Sequence, residues 1–385
     1  MTSKKWKIKK NNIKINLFEA FSGIGSQHQA LKNIGFDVNV VWISDWYIDA
    51  IIAYWITHLF LKPIEIDKLK VIEFLKKYSL SRDSKNPLKS FWWLSDDKLS
   101  ILYQVIKKFW ILDIRDITWE KLATQKIDLF TYSFPCQDIS QQWKRSWFSK
   151  DSCSRSWLLW EIERILFEIN NLGKEKLPKV LLMENVKAIL NKEFSKDLGL
   201  WINQLEKLWY KSSKPFIVNS SDIWSPQNRQ RVFMISKLQD SDLKDFEINF
   251  KNKKKYLKDI LQEDRDRVKL AKDKYDFLES LNINKWIKKW ILRWYTTFNS
   301  ENYVYYKDWQ LPTITASWAQ SRIKFLWEDN EIYFLNALEH LLLQWFDEKF
   351  YNKLKDFWFT DTKIKFLAWN SINVWVLEEI FNFYL

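Results

Sequence analysis

The chain has 385 residues, a net charge of +13 and 2 cysteines. This length predicts about two domains, and two cysteines exclude a disulfide framework and indicate a reducing compartment. The basic start, MTSKKWKIKKNNIK, precedes an apolar stretch too short for a signal peptide or a membrane span. We therefore expect a cytoplasmic protein with no membrane partner, and the positive charge favours a polyanionic one. None of the 3 histidines lies near a cysteine in ligand spacing, so we expect no metal site.

The chain is unusually rich in tryptophan and poor in glycine, with 25 tryptophans and 5 glycines. Glycine averages about 7% in globular proteins. Several tryptophans stand in turn-like surroundings that favour glycine, because glycine adopts positive φ and allows close approach of other groups. These are Trp143, Trp157, Trp209, Trp224, Trp318, Trp345 and Trp369. We hypothesise that the gene uses UGA as a glycine codon at such positions, and that genuine tryptophans such as Trp46 and Trp160 are encoded by UGG. The alternative is an unusually aromatic core.

Apolar, β-rich runs alternate with helical patterns from Ile15 onward, which predicts a parallel sheet covered by helices. Strands are expected at 15–21, 38–44, 127–134, 179–184, 215–220 and 231–236, and helices near 26–34, 49–60, 155–170 and 195–208. Gly35 is expected to close the first helix. The stretch from Pro63 to Phe109 indicates a charged insertion without recognisable chemistry, and the terminal INVWVLEEIFNFYL predicts a helix that returns to the first domain.

After Lys237 the chain becomes polar and lysine-rich, including KNKKK at 251–255. This change predicts a smaller second domain at 238–320. Residues 1–237 and 321–385 would then form the α/β domain.

The FSGIG segment follows the first predicted strand and opens a helix, so Gly23 and Gly25 let the backbone approach a ligand at the carboxyl edge of the sheet. Asp45 ends the second strand, 20 residues after Gly25, and is placed to accept hydrogen bonds from ribose hydroxyls. Trp46 beside it offers a face for an adenine. A plain turn with a surface aspartate is the alternative.

Reactive side chains are expected at the same edge, further along the chain. Cys136, in FPCQ, follows the strand at 127–134 and is either a thiolate nucleophile or a small buried side chain. Glu184 ends the next strand, as a catalytic carboxylate or a helix cap. Arg229 and Arg231, in QNRQR, either bind a phosphate or base oxygen or lie at a solvated strand end.

In this order, FSGIG, SDW, DIRD, SFPCQ, MENV, QNRQR, LPTITAS and NSINVWVLEEIF resemble the motifs of the cytosine-C5 DNA methyltransferases. The resemblance covers nearly the whole chain. It is strongest to stand-alone bacterial enzymes of the CpG-methylating type. The implied fold is a Rossmann-like methyltransferase domain, mostly parallel with helices on both faces, plus a smaller DNA target-recognition domain at 238–320.

The resemblance also implies roles for individual residues. S-adenosylmethionine would be bound by Phe21, Gly23, Gly25, Asp45, Trp46, Asp113, Ile114, Asn370 and Ser371. Cys136 would add to C6 of a flipped cytosine, Glu184 would hydrogen-bond its N3 and amino group, and Arg229 and Arg231 would anchor the ring. DNA contacts would come from Ser140, Gln141, Gln142, Thr313, Thr315, Ser317 and Arg322.

The expected substrate is double-stranded DNA, with a cognate restriction endonuclease as a functional companion and a monomeric enzyme. Two alternatives stay open at this point. One is an RNA cytosine-C5 methyltransferase. The other is a non-catalytic DNA-binding relative, if Trp143, Trp147 and Trp157 are genuine and block the loop after Cys136.

Overall fold

The computed structural model describes residues 13–109, 113–118, 124–135, 158–238, 243–247, 254–262, 267–276, 278–281, 287–297, 299–314 and 323–385. The chain forms two compact units. The first consists of Met1–Val218, Arg231–Glu247 and Glu378–Leu385, and the second of Asn219–Gln230 and Ile248–Leu377. The functional division at 238–320 stays a prediction.

The main sheet is mostly parallel, as predicted. Its strands are β1 (Lys14–Ala20), β2 (Asp37–Ser44), β3 (Leu129–Tyr132), β4 (Val180–Val186), β5 (Tyr210–Ser212), β6 (Phe216–Asn219) and β7 (Gln230–Leu238). The spatial order is β2-β1-β3-β4-β7-β5, with β6 beside β7. The first four strands run parallel, whereas β7 is antiparallel to both β4 and β5. Near-continuous apolar runs such as the buried β3 suit strands covered on both faces.

The helices of the first unit are α1 (Ser26–Asn33), α2 (Ile48–His58), α3 (Lys68–Leu75), α4 (Asp96–Phe109), α5 (Leu158–Asn170) and α6 (Ser195–Lys207). Two of them, α3 and α4, occupy the stretch interpreted as a charged insertion. They pack against each other, and α4 also packs on α2. The buried side of α4 carries Leu99, Leu102 and Ile106 at helical spacing. The insertion is therefore a packed helical element.

The second unit contains a five-stranded sheet ordered β12-β11-β10-β9-β8. Its strands are β8 (Leu278–Leu281), β9 (Lys289–Leu292), β10 (Tyr303–Tyr306), β11 (Lys324–Leu326) and β12 (Ile332–Phe334). The helices that follow in this unit are α7 (Ala337–Leu343), α8 (Glu348–Asp356) and α9 (Asp361–Asn370). The last helix, α10 (Val374–Tyr384), belongs to the first unit from Glu378 onward. The predicted terminal helix is thus confirmed. Across the described ranges, no helix has both the length and the apolarity to cross a bilayer.

Several tryptophans adopt the left-handed backbone conformation. Three of the predicted positions do so, with φ of 68° at Trp209, 74° at Trp224 and 68° at Trp345. Two further ones were not predicted, Trp294 at 61° and Trp358 at 55°. A bulky residue there is a conformational outlier, because its Cβ crowds the following carbonyl. Trp143, Trp157 and Trp318 lie outside the described residues.

The prediction of a turn at Trp369 is wrong. This residue lies inside α9, which continues to Asn370, and its side chain is buried in the core of the second unit. The backbone there does not require glycine.

Three helices share one C-terminal motif, in which a left-handed residue follows the cap and the next amide donates to a carbonyl five residues earlier. Gly35 occupies the left-handed position after α1, as predicted. Tryptophan occupies it after α7 and α8. The amide–carbonyl pairs are Phe36–Leu31 at 3.1 Å behind Gly35, Phe346–Leu341 at 3.0 Å behind Trp345, and Phe359–Leu354 at 3.0 Å behind Trp358.

Trp358→Gly should stabilise the protein by about 1 kcal/mol, because it relieves left-handed strain. Little buried area is lost, since Trp358 is 74% exposed. Chemical denaturation measures the change. The matched control is Trp92→Gly, which removes a tryptophan that is 56% exposed and has no positive φ. The Trp92→Gly substitution should not increase the stability of the protein, and we expect it only to leave stability unchanged or to lower it. Equal effects of the two substitutions would contradict the strain argument.

Candidate active site

The carboxyl ends of four parallel strands lie at one edge of the main sheet. The last residues of β1, β2 and β3 are in register, with Ala20 opposite both Ser44 and Tyr132. Tyr132 lies opposite Met183 of β4, and β4 continues to Val186. The segments that follow β1, β2 and β3, and the end of β4 itself, therefore meet there. Ligand sites of α/β sheets occupy this edge.

The FSGIG loop leaves β1 in a strained conformation. Phe21 has a φ of 58°, and Gly23 and Gly25 have φ of 53° and 75°. A Cβ on Gly23 would meet no atom within 4 Å, so open space adjoins the backbone there. A Cβ on Gly25 would lie only 2.6 Å from Nε2 of His58 and 2.7 Å from the Tyr54 ring. Gly23 thus leaves room for a ligand, whereas Gly25 is required by the packing beneath the loop.

Asp45 holds this loop from the end of β2. Its carboxylate accepts hydrogen bonds from the amide of Gly23 at 2.9 Å and from the amide of Tyr47 at 2.9 Å. Burial raises the pKa of Asp45, backbone amides oppose that rise, and repulsion from Asp113 adds to it. Asp113 is itself held by Arg115 through Nε–Oδ1 and Nη2–Oδ2 contacts of 2.9 and 2.5 Å.

Two carboxylates and an open glycine backbone therefore share this part of the edge. Their carboxyl oxygens offer acceptors for hydroxyl and amino groups. The residues present fit a nucleoside cofactor.

The other residues expected at the cofactor are divided between the two units. In the first unit, Phe21 and Trp46 are half-buried and Ile114 is buried. In the second, the Asn370 amide donates to the carbonyl of Phe366, and the Ser371 hydroxyl donates to that of Ala368. The roles of Asn370 and Ser371 at the cofactor stay predictions.

Glu184 and Arg231 form an ion pair between β4 and β7. The Nε of Arg231 lies 3.2 Å from Oε1 of Glu184, and both side chains are largely buried. Their strands are antiparallel, with Arg231 opposite Val186. The guanidinium therefore orients the carboxyl at the edge where Cys136 follows β3. Cys136 itself lies outside the described residues.

Asn185, near the end of β4, is buried and was not among the predicted site residues. Its Nδ2 donates to the carbonyl of Phe134 at 3.1 Å, and its Oδ1 accepts from the amide of Val186 at 2.8 Å. Phe134 lies two residues before Cys136 in the chain. A buried amide at a strand end was the available signal, because such a group needs a partner.

Arg229 has a different environment from the one predicted. Its buried guanidinium donates to three backbone carbonyls at 3.0 Å, those of Ile314, Trp369 and Ser371. Arg229 therefore joins the LPTITAS segment to the C-terminal end of α9. This geometry gives Arg229 a structural function, and its contact with the pyrimidine stays a prediction.

Among the predicted DNA contacts, Thr313 is described, and its hydroxyl donates to the carbonyl of Asn228 at 2.6 Å. The others lie outside the described residues: Ser140, Gln141, Gln142, Thr315, Ser317 and Arg322.

The profile of C-5 cytosine-specific DNA methylases matches residues 91–383. The chain belongs to this family. The orphan methyltransferase M.SssI of Spiroplasma monobiae is 38% identical, with 97% of this chain and 98% of the relative covered. The type II methyltransferase M2.ScrFI of Lactococcus lactis subsp. cremoris is 36% identical over 58% of this chain and 61% of that relative.

Among solved structures, the Dnmt2 methyltransferase of S. pombe superimposes with a TM-score of 0.63 at 18% identity, covering 96% of this chain and 98% of that one. That likeness shows the fold. The family identifies the chain as a DNA cytosine-5 methyltransferase whose methyl donor is S-adenosylmethionine.

Gly25→Ala should destabilise the protein by about 2 kcal/mol or more, because left-handed strain is joined by overpacking against His58. Gly23→Ala is the matched control, with the same strain but open space, and should cost about 1 kcal/mol. Urea denaturation of the two variants measures the difference. An equal loss would show that packing beneath the loop is unimportant.

Arg229→Lys should lower stability by about 2 kcal/mol, because one ammonium cannot serve three buried carbonyls. Turnover of the folded enzyme should stay within about threefold of the wild-type rate, a change worth under 1 kcal/mol. Arg231→Lys should show the reverse, with nearly normal stability and turnover at least about tenfold lower. Denaturation and single-turnover methyl transfer separate the two effects. Lost turnover in a fully stable Arg229→Lys enzyme would restore its predicted role at the base.

Proposed function

We propose that the enzyme methylates C5 of a cytosine that has been flipped out of duplex DNA, in a CpG context, through a covalent adduct with Cys136. The ion pair between Glu184 and Arg231 carries this proposal. It supports the proposal because a buried, oriented carboxyl stands at the strand edge beside the segment that leads to Cys136. Asn185 fixes that segment through its bond to Phe134.

Flipping follows from the chemistry. Attack on C6 and methylation at C5 both need access to the faces of the ring, which are covered by neighbouring bases inside a duplex. We assign the wedge that fills the vacated space to Ser140, Gln141 and Gln142, in the loop after Cys136.

The reaction begins when the Cys136 thiolate forms a C–S bond to C6. Electron density moves toward N3 and C5, and Glu184 stabilises it by hydrogen bonding to N3 and to the amino group. When bound, S-adenosylmethionine would supply an electrophilic methyl group to C5, with cleavage of its S–methyl bond and release of S-adenosylhomocysteine. Loss of the C5 proton and cleavage of the C–S bond then restore the aromatic ring and the thiolate. Arg231 keeps Glu184 in position throughout.

Cofactor binding is assigned to the FSGIG loop with Asp45 and Asp113. Asp45 has the chemistry to accept from ribose hydroxyls, and Trp46 offers its ring to the adenine. The open space at Gly23 supports this placement.

The CpG context rests on the resemblance to stand-alone enzymes and on Thr313, Thr315, Ser317 and Arg322 as recognition residues. The net charge of +13 suits contacts with phosphate. A monomeric enzyme, a cytoplasmic location and a companion restriction endonuclease are part of the same proposal.

A duplex with 5-fluorocytosine at the target tests the adduct. Fluorine replaces the departing proton, so the methylated adduct cannot collapse and a denaturation-resistant complex should accumulate. Cys136→Ala should abolish that complex. Cys153→Ala removes the second of the two cysteines and should leave the complex intact. A complex that survives Cys136→Ala would refute the assignment of the nucleophile.

Specificity is tested by transfer of labelled methyl to duplexes that differ in one CpG step. We expect incorporation that is confined to CpG duplexes. Transfer to another cytosine context would retain the enzyme and remove the CpG proposal. Transfer to RNA alone would favour the RNA-modifying alternative.

A further inference from the structure

A buried polar network lies directly beneath the FSGIG loop. It consists of Glu19 on β1, His28 on α1, and Tyr54 and His58 on α2, and none of these has a role in the function proposed above. All four are enclosed, at 5% exposure or less. Burial of such groups is costly unless their hydrogen bonds are satisfied.

Hydrogen bonds join Glu19, His28 and Tyr54, and His58 contacts them through its ring. The Tyr54 hydroxyl donates to Oε2 of Glu19, and Oε1 of Glu19 accepts from the backbone amide of His28 at 3.3 Å. Nδ1 of His28 lies 3.2 Å from the same Tyr54 hydroxyl. The His28 ring stacks on His58 with 4.4 Å between centroids. One network therefore links β1, α1 and α2.

The network contacts the loop through His58. Its Nε2 donates to the carbonyl of Ile24 at 2.9 Å, within the FSGIG segment. The same nitrogen and the Tyr54 ring occupy the space into which a Cβ of Gly25 would project. The loop backbone thus rests directly on His58 and Tyr54.

We propose that Glu19, Tyr54 and His58 are positioning residues that hold the FSGIG loop in the conformation that admits the cofactor. This inference rests on the proposed assignment of the loop to S-adenosylmethionine. The residues act through the backbone of Ile24 and Gly25 and do not themselves touch the cofactor.

Protonation gives the network a pH dependence. Burial raises the pKa of Glu19 from 4.5 to about 8, opposed by the bonds from Tyr54 and His28. Burial also lowers the pKa of His28 to about 3, with Lys32 adding to that effect. Glu19 faces Tyr54 of α2 and His28 of α1. Its register partners, Ile43 on β2 and Thr131 on β3, are not titratable.

The direction of the pH dependence of stability follows from the linkage between proton binding and folding. The folded state binds the Glu19 proton more tightly than the unfolded state, so this contribution to stability is greatest below pH 4.5. It declines as pH rises toward about 8. Near neutral pH, below the pKa of about 8, the Glu19 carboxyl is largely protonated. Ionisation above pH 8 places an anion in a buried site beneath the loop, and the loop should then loosen.

The test uses the full chain and two readouts. One is the affinity for S-adenosylhomocysteine, measured by calorimetry. The other is amide hydrogen exchange of the FSGIG loop in the cofactor-free protein. Tyr54→Phe should raise Kd about tenfold, because it removes a hydrogen bond to a carboxyl group, and should speed exchange in the loop. His58→Ala should do the same.

The matched control is Tyr210→Phe. Tyr210 is also a buried tyrosine with one hydrogen bond, to the carbonyl of Pro178 at 2.6 Å, on a strand at the far end of the sheet. It should leave Kd and loop exchange within about twofold, a difference of less than 1 kcal/mol.

Glu19→Gln supplies the conservative rescue, since it mimics the protonated carboxyl. Its affinity near pH 7 should approach the wild-type value. The extra weakening of wild-type binding above pH 8 should be absent, whereas titration of the amino group of the ligand affects both proteins equally.

Two outcomes would overturn the inference, and they are distinguishable. If the wild-type chain binds the ligand and methylates DNA but Tyr54→Phe behaves like Tyr210→Phe, the network is only structural and the proposed function stands. If the wild-type chain does not bind the ligand, the cofactor assignment fails and this inference fails with it.

Discussion

Parallel pairing of β1, β2, β3 and β4 is the constraint on which the site depends, because it brings four strand ends to one edge. Strand ends alone leave flexible backbone there, and the structure ties each end to its neighbour through a side chain. Asp45 after β2 accepts from the amide of Gly23, and the Ser133 hydroxyl after β3 lies 3.4 Å from the carbonyl of Phe21. Asn185 at the end of β4 donates to Phe134. The edge is thereby preorganised by bonds that run from one strand end to the next.

Arg229 and Arg231 belong to the same motif, but their buried guanidinium groups bind different partners. The guanidinium of Arg231 forms an ion pair with the Glu184 carboxyl of the same unit. That of Arg229 instead donates to three backbone carbonyls. Two of those carbonyls, at Trp369 and Ser371, belong to the C-terminal end of α9, where helical carbonyls lack amide partners and a cation is favoured. Arg229 thus caps the end of α9 at the Asn370-Ser371 pair. It does so through backbone carbonyls, which the sequence pattern does not reveal.

The sequence was sufficient for the parts of the fold that depend on local pattern. Apolar runs and helical spacing located the strands of the main sheet and the helices between them. The tendency of ligand sites to lie at the carboxyl ends of parallel strands predicted Asp45 and Glu184 at one edge. The sequence was insufficient where a role depends on residues brought together from separate elements. Glu19, His28 and Tyr54 are far apart in the chain, and each alone is an ordinary polar residue. The packing of α3 and α4 was missed because their charged outer faces obscured the buried spacing.

The tryptophan positions differ in backbone conformation, and this difference decides which of them favour glycine. Where the backbone is left-handed, as at Trp345 and Trp358, the structure repeats the motif that glycine serves at Gly35, so the geometry favours glycine. At Trp369 the backbone is helical and gives no such preference. The bond that Arg229 makes there is to the carbonyl of residue 369, which either residue provides. The closure of α9 is therefore independent of which of the two side chains the gene encodes. The UGA hypothesis is strongest at the helix ends and has no support from backbone conformation at position 369.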